Sequence, residues 1–289
     1  MKVTEGRSIT TFAIGGKIPN FMEVHSLDQL KEALNIIASE GPDYKVIGAG
    51  SNVLISDEGL SSFVVRLGKE FSNIEDQSSG RFYVGGATSL MSLSRKLSDA
   101  GYAGLEFAGG IPASVGGAVF MNAGAHGGEM CNIIESVDIL TENCEVVTLK
   151  TKEINYSYRT SHFPKGSVVI GATIKLIESS KEETSRLRSE HLAERKKRQP
   201  LTMPSAGSVF RNPSIEHSAG SLIEQVGLRG FALGGAIVSE MHGNWIVNPK
   251  KEAKAIEVIS LIEKCKEEVM KKFKIALKEE VIFWKDPIS

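Results

Sequence analysis

The sequence predicts an α+β fold, because strand-like and helix-like segments occur without a regular β-α-β repeat. Residues 45–47 and 62–67 are short runs with β-branched residues flanked by Gly or Ser, which is typical of strands. Leu and Ile recur at helical spacing over residues 27–37, and Leu recurs over residues 89–100, which predicts two amphipathic helices. Three alternating apolar runs within residues 133–177 indicate a meander of strands.

Residues at the segment ends place the remaining elements. Ser26 is predicted to begin the first helix, and Gly101 is predicted to end the second. A charged helix is predicted over residues 179–197, an amphipathic helix over 251–273 and a final strand over 278–284. We place a domain boundary after the charged helix.

The composition excludes several classes of protein. Hydrophobic residues make up 41% and charged residues 24%, which excludes intrinsic disorder. The 34 basic and 35 acidic residues leave a net charge of −1, so the sequence has no electrostatic signature for nucleic acid or an anionic membrane. No apolar run approaches the ~20 residues that cross a bilayer, and the three cysteines form no zinc-ligand set. We expect a cytoplasmic, soluble protein with no metal site and no nucleic-acid or membrane partner.

A first glycine-rich segment, Gly48-Ala49-Gly50-Ser51-Asn52, follows the strand predicted over residues 45–47. It resembles the start of a dinucleotide-binding fingerprint, but Val53 stands where the third Gly is required and no apolar helix follows, which excludes a Rossmann fold. The remaining possibilities are a plain turn and a strand–turn–strand whose N–H groups bind an anion.

A second glycine-rich segment covers residues 104–128, in which eight of 25 residues are Gly. Such density costs backbone entropy, so it is typical either of a long irregular loop or of backbone that closely approaches a ligand. Two Gly pairs flank Pro112 within residues 108–118. Two donor loops of this kind suit a pyrophosphate whose charge is met by amide dipoles.

A serine hydrolase is a further alternative. Gly207-Ser208 is not a nucleophile elbow, because no Gly lies two residues after the serine. Six histidines nevertheless leave a Ser-His arrangement open.

A set of motifs occurs in order over nearly the whole chain, at residues 11–16, 48–52, 104–128, 158–161, 204–213, 219–224 and 277–281. Together they resemble the bacterial UDP-N-acetylenolpyruvoylglucosamine reductase (MurB) family, in its shorter type II subgroup. The resemblance implies an FAD-binding domain of the vanillyl-alcohol-oxidase/PCMH type over residues 1–180, with α+β subdomains at about 1–68 and 69–180. A smaller α+β substrate-binding domain is implied over residues 190–286, with the tail around residue 280 reaching an interdomain active site.

The same resemblance implies a reaction. The family reduces UDP-N-acetylglucosamine enolpyruvate to UDP-N-acetylmuramate for peptidoglycan synthesis, with non-covalent FAD and with NADPH as co-substrate. We expect a monomer. Another flavin oxidase or dehydrogenase of the same domain class, and a flavin-binding module that has lost catalysis, are the alternatives.

Catalytic roles carry over from the family motifs to three residues. Arg159 matches the arginine that stabilises the substrate carboxylate, Ser208 the proton donor, and Glu280 an acid that has to stay protonated. The alternatives are a surface ion pair, a turn serine and an exposed tail carboxylate.

Binding roles carry over in the same way. The substrate contacts implied are Tyr158, Asn212 and His242. The cofactor contacts implied are Gly48, Ala49, Gly50, Ser51, Asn52, Gly109, Gly110, Ile111, Pro112, Ser114, Gly116, Gly117 and Ile170. The sequence departs from the usual family pattern at His126, Met241 and Ile282.

Overall fold

A computed structural model describes residues 1–41 and 43–286, and it has mixed helices and sheets. The strands are β1 (Lys2–Glu5), β2 (Lys17–Val24), β3 (Tyr44–Val46), β4 (Val53–Ile55), β5 (Phe63–Leu67), β6 (Ile74–Asp76), β7 (Arg81–Gly85), β8 (Tyr102–Ala103), β9 (Gly124–Ala125), β10 (Gly128–Glu129), β11 (Ile134–Leu140), β12 (Val146–Lys150), β13 (Val168–Lys175), β14 (Ile177–Glu178), β15 (Ser205–Ser208), β16 (Ala232–Leu233), β17 (Ala236–Val238), β18 (Trp245–Val247) and β19 (Ile282–Trp284). The α-helices are α1 (Gly6–Ile9), α2 (Leu27–Glu40), α3 (Leu90–Asp99), α4 (Val115–Phe120), α5 (Thr151–Ile154), α6 (Lys181–Arg198), α7 (Ala219–Gln225) and α8 (Ala255–Phe273).

The helices predicted from apolar spacing form where their ends are capped. The Ser26 hydroxyl accepts the Gln29 N–H at 3.2 Å at the start of α2, and Ser89 caps α3 in the same way. Helix α8 begins at Ala255 rather than near residue 251, because the Asp57 carboxylate accepts the N–H groups of Ala255 and Ile256 (2.8 and 3.2 Å).

The chain divides into two compact units. The first unit contains Phe21–Ala49 and Phe63–Glu194. In it, β2, β5 and β3 form a parallel arrangement, and a separate antiparallel sheet has the order β12-β11-β13-β7-β6. One buried apolar cluster packs α2 against β2 and β5, and a second packs α3 and α4 against β7, β11 and β13. The predicted meander is confirmed as the antiparallel β11, β12 and β13.

The second unit contains Lys2–Asn20, Gly50–Ser62 and the chain from Arg195 onward. Its sheet has the order β15-β18-β17-β16, and β4 pairs in parallel with β19. Its core joins Phe12 and Leu54 to the apolar faces of α7 and α8. Residues 2–20 and 50–62 therefore share a body with the C-terminal segment, although the sequence analysis placed them in domain 1–180.

Candidate functional site

The two glycine-rich segments meet in the first unit at Gly48. A Cβ atom at Gly48 would lie 2.1 Å from Ser114 Oγ and 4.0 Å from the Gly117 nitrogen. Ser114 Oγ in turn accepts the Gly117 N–H at 3.2 Å, at the start of α4. The close approach of the two loops therefore depends on glycine at position 48, because any side chain there would overlap the Ser114 hydroxyl.

We expect Gly48→Ala to weaken cofactor retention, because the added methyl group overlaps Ser114 Oγ and separates the two loops. The measurement is the flavin-to-protein ratio of purified protein. Gly41→Ala is the matched control, since a Cβ at Gly41 has no heavy atom of the described residues within 4 Å. Gly48→Ala/Ser114→Ala should recover part of the flavin, because the overlap with Ser114 Oγ is removed and the Ser114 Cβ atom lies 3.3 Å away. Full flavin retention in Gly48→Ala would contradict the expectation.

A turn at Gly86 connects α4 to β13. The Gly86 N–H donates to the Ile170 carbonyl at 2.7 Å, and the Gly86 carbonyl accepts the Gly116 N–H at 2.8 Å. Ile170 and Gly116, both predicted cofactor contacts, are thus linked through a residue that sequence reasoning missed. The available signal was the Gly85-Gly86 pair between a strand and a helix.

The amides of the second glycine-rich segment are partly engaged within the protein. Val115, Gly116 and Gly117 donate to the Thr88 carbonyl, the Gly86 carbonyl and Ser114 Oγ. Gly116 and Gly117 therefore hold the shape of the loop with these amides, which differs from the expectation that they would face a pyrophosphate. The remaining predicted contacts of this segment, Gly109, Gly110, Ile111 and Pro112, immediately precede this hydrogen-bonded turn.

Arg159 lies on a tight turn in the first unit. Ser157 and Thr160 exchange both backbone hydrogen bonds at 3.0 Å, so Tyr158 and Arg159 are the central residues. Arg159 has φ +55°, a left-handed conformation that costs energy for a residue with a side chain. Its Nη2 donates to the Gly124 carbonyl at 2.7 Å, and its guanidinium carbon lies 5.4 Å from the ring centroid of Tyr158, which is 47% exposed. The turn therefore holds a guanidinium and an exposed phenol side by side.

Ser208 and Glu280 lie on adjoining backbone segments of the second unit. The Glu280 N–H donates to the carbonyl of Val209, the residue after Ser208, at 2.8 Å. Both side chains are half-buried. This pairing also explains why the final strand starts at Ile282 rather than near residue 278, as predicted: residues 279 and 280 pair with residues 210 and 209 instead.

Glu279 has a different environment from its neighbour. Its carboxylate lies 2.9 Å from Lys266 Nζ. Burial alone would raise the pKa of Glu279, but hydrogen bonds from Lys266 and from the backbone hold that pKa below its usual range. Glu279 is thus an ionised partner of Lys266 on α8.

Asn52 ties the first glycine-rich segment to the tail. Its Nδ2 donates to the Glu280 carbonyl at 3.0 Å, and its own carbonyl accepts the Ile282 N–H at 3.0 Å. The neighbouring Gly50, at φ +67°, has no room for a Cβ atom, which would lie 2.1 Å from the Ile9 carbonyl. Asn52, predicted as a cofactor contact, therefore also fixes the backbone of Glu280, the predicted acid. Ser51, a further predicted cofactor contact, lies between Gly50 and Asn52 in the sequence.

Asn212 and His242 flank the first turn of α7. Asn212 Oδ1 accepts the Ala219 N–H at 3.1 Å, and a Cβ at Gly220 would lie 2.9 Å from the His242 ring. His242 Nδ1 accepts the Asn244 N–H at 3.1 Å, and burial lowers the pKa of His242. A neutral imidazole thus faces this helix start.

Sequence reasoning missed a buried amide that organises the Ser208 segment. Asn244 Oδ1 accepts the Phe210 N–H at 2.9 Å, while its Nδ2 donates to the Phe210 carbonyl at 2.8 Å. Asn244 is 3% exposed. The signal was a polar residue before the apolar run of β18.

The structure thus brings Ser208 and Glu280 together in the second unit, while Tyr158 and Arg159 share a turn in the first. That Arg159 acts at the same substrate as Ser208 and Glu280 stays a prediction. Among the described residues, no helix is long and apolar enough to span a membrane. No group of three or more His, Cys, Asp or Glu side chains in that part of the chain is arranged to hold a metal ion.

Comparison with known proteins defines the class. Residues 19–150 match a family model described as an FAD binding domain, and residues 199–284 match one described as the C-terminal domain of UDP-N-acetylenolpyruvoylglucosamine reductase. The chain is therefore an FAD-dependent oxidoreductase with an α+β fold. The expected cofactor and the expected fold class are both confirmed. The close packing of the loops at Gly48 and Ser114 fits this cofactor, because it brings two glycine-rich segments together with only the Ser114 hydroxyl described at their contact.

The relatives define the family. UDP-N-acetylenolpyruvoylglucosamine reductase from Bacillus subtilis strain 168 is 40% identical over 94% of this chain and 89% of its own length. The enzyme called reductase 1 from Bacillus cereus is 41% identical over 94% and 90%. The crystal structure of the reductase (MurB) from Thermus caldophilus matches with a TM-score of 0.86 and 36% identity over 98% of each chain. The chain belongs to the UDP-N-acetylenolpyruvoylglucosamine reductase family, as its motifs indicated.

Proposed function

We propose that this protein reduces the enolpyruvyl ether of UDP-N-acetylglucosamine enolpyruvate to the lactyl ether of UDP-N-acetylmuramate, with NADPH as electron donor. The hydrogen bond from Glu280 N–H to the Val209 carbonyl carries the proposal, because it joins the backbone segments of the proposed proton donor and acid. The names of the relatives from Bacillus subtilis and Thermus caldophilus support the substrate class.

The cofactor is held, in this proposal, by residues 48–52, by residues 109–117 and by Ile170. Bound FAD supplies the hydride that NADPH has delivered. The chain's own residues then have two tasks: to stabilise the charge that develops on the substrate and to deliver one proton to carbon.

Arg159 stabilises charge on the substrate carboxylate. Once the terminal vinyl carbon gains a hydride, negative charge on the adjacent carbon spreads into that carboxylate, so fixed positive charge is needed there. The planar guanidinium carries five N–H groups, of which one on Nη2 is given to the Gly124 carbonyl. That contact orients the fork before the substrate arrives, and Tyr158 beside it contacts the substrate.

Ser208 and Glu280 complete the reaction. Ser208 Oγ gives its proton to the carbon that carries the charge, and the oxygen regains a proton from solvent. Glu280 in its protonated form donates a hydrogen bond to the substrate carboxylate as its charge grows. Overall, one hydride and one proton add across the double bond. Asn212 and His242 bind the sugar nucleotide.

A flavin absorbance trace tests the function. The purified protein should be yellow, anaerobic NADPH should bleach it, and the enolpyruvyl sugar nucleotide should then restore the colour. UDP-N-acetylglucosamine, which lacks the enolpyruvyl group, is the control and should restore none. Bleaching without recovery would instead favour another flavin oxidoreductase, whereas no bleaching would favour a flavin-binding module without catalysis.

A further inference from the structure

Asn122 is a fully buried polar residue within the second glycine-rich segment. Its side chain is 0% exposed, and its backbone has φ +45°. Asn122 Oδ1 accepts the Cys131 N–H at 3.0 Å, while Nδ2 donates to Glu129 Oε2 at 2.8 Å and to the Ser157 carbonyl at 3.0 Å. One donor faces the oxygen and two acceptors face the nitrogen, so the orientation of the amide is fixed by its partners.

One of these hydrogen bonds and a short stretch of backbone connect Asn122 to Arg159. Ser157, whose carbonyl binds the Asn122 amide, is the first residue of the turn that carries Arg159. Gly124, whose carbonyl accepts from Arg159 Nη2, follows Asn122 by two residues. Asn122 therefore ties together the turn that carries the guanidinium and the segment that carries its acceptor.

Several hydrogen bonds hold the turn in place, among them those of Arg159 Nη2 to the Gly124 carbonyl and of Ser161 Oγ to the Phe120 carbonyl. Arg159 has a left-handed backbone, and such conformations persist only where the surrounding structure holds them. Within the turn, the two hydrogen bonds between Ser157 and Thr160 close the backbone but do not fix it to the rest of the unit. The Asn122 amide supplies a buried, doubly constrained anchor for the first residue of the turn.

We propose that Asn122 is a positioning residue that sets the location of the Arg159 guanidinium for the substrate carboxylate. The proposal rests on the function proposed above, because it concerns the step in which that carboxylate gains charge. Glu129 has a supporting role, since its carboxylate oxygen holds the Asn122 amide in the orientation that directs a second N–H to Ser157.

The substitution Asn122→Asp tests the proposal with little change of volume. An Asp at this position beside the Glu129 carboxylate shares at most one proton with it, so the Ser157 carbonyl loses its donor. The turn would lose the hydrogen bond to its first residue, and a misplaced Arg159 should slow reoxidation of the reduced flavin by the enolpyruvyl substrate on the order of 10²-fold. Bleaching by NADPH should stay near the wild-type rate. Asn35→Asp, which adds the same charge on the exposed face of α2, should change neither rate.

A pair of milder variants covers the case in which Asn122→Asp fails to fold. Glu129→Gln retains a side-chain oxygen that accepts from Asn122, whereas Glu129→Ala leaves that N–H without its partner. Glu129→Ala should therefore slow the substrate step more than Glu129→Gln does. In the double variant Asn122→Asp/Glu129→Gln, the glutamine amide donates to the introduced carboxylate, but the Ser157 carbonyl still lacks its donor, so the substrate step should stay slow.

Two further readouts separate positioning from general structure. In protein that already carries Arg159→Lys, Asn122→Asp should slow the substrate step little further, because both changes act through the same guanidinium. The absorbance change of the oxidised flavin on adding substrate should require more substrate in Asn122→Asp than in the wild type. The thermal midpoint of Glu129→Gln should stay near that of the wild type.

Two outcomes would overturn the inference. One is that Asn122→Asp slows reduction by NADPH and reoxidation by substrate equally. The other is that the double variant Asn122→Asp/Arg159→Lys slows reoxidation by the full product of the two single effects. A wild-type flavin that NADPH bleaches and the substrate does not reoxidise would instead refute the proposed function.

Discussion

Ser208→Ala should leave the flavin reducible by NADPH but slow its reoxidation by the enolpyruvyl sugar nucleotide about 10²- to 10⁴-fold, which is the range for loss of a positioned acid. The change should remove only the proton donor. Ser208 pairs with Trp245 through its backbone, and Gly207 before it keeps its left-handed φ of +74°, so the alanine variant retains the strand geometry. Stopped-flow absorbance of the two half-reactions measures the effect.

Ser221→Ala is the matched control for Ser208, since this serine is exposed on α7 and its hydroxyl accepts a bond from Gln225 on the same helix. Ser208→Cys should retain more of the substrate step than Ser208→Ala, because a thiol can still give up a proton. Equal slowing of both half-reactions in Ser208→Ala would show that Ser208 is not the proton donor.

Arg159→Lys should slow the same reoxidation step about 10²- to 10³-fold, the usual cost of removing one preorganised donor to a developing anion. Lys and Arg share the left-handed backbone cost at φ +55°, so the comparison isolates the head group. A single ammonium cannot both donate to the Gly124 carbonyl and grip a carboxylate with a planar fork. The measurement is the substrate half-reaction under single-turnover conditions.

Arg186→Lys provides the control for this exchange, since Arg186 lies exposed on α6 and pairs with Glu190 at 2.7 Å. It should leave both half-reactions near wild type. Near-normal reoxidation in Arg159→Lys would assign the substrate carboxylate to another group.

The elements that could be predicted from the sequence are those with strong local patterns. Helices α2 and α3 have apolar residues at helical spacing and serine caps, so their existence and starts follow from local chemistry. Helices α4 and α7 were not predicted. They contain six and seven residues, include glycine, and form through burial of residues such as Val115 and Leu222 rather than through helix propensity.

Residues of the candidate site could be predicted only where they lie in a motif that resembles the family's. Arg159, Ser208 and Glu280 follow from resemblance, because a single arginine, serine or glutamate gives no periodic signal of its own. Asn122 and Asn244 were missed since a buried amide is recognised by its partners, and those partners lie as far as 35 residues away along the chain. The membership of residues 2–20 and 50–62 in the second unit was missed for the same reason: periodicity reports local structure and not distant pairing.

This last feature bears on the order of folding during synthesis. Strand β4 pairs with β19, and the Asp57 carboxylate caps α8, so segments made early receive their partners only when the end of the chain emerges from the ribosome. Phe12 and Leu54, which belong to the core of that late-forming body, have to remain without their partners on α7 and α8 through most of translation. The nascent chain therefore exposes apolar surface for longest at its amino-terminal end.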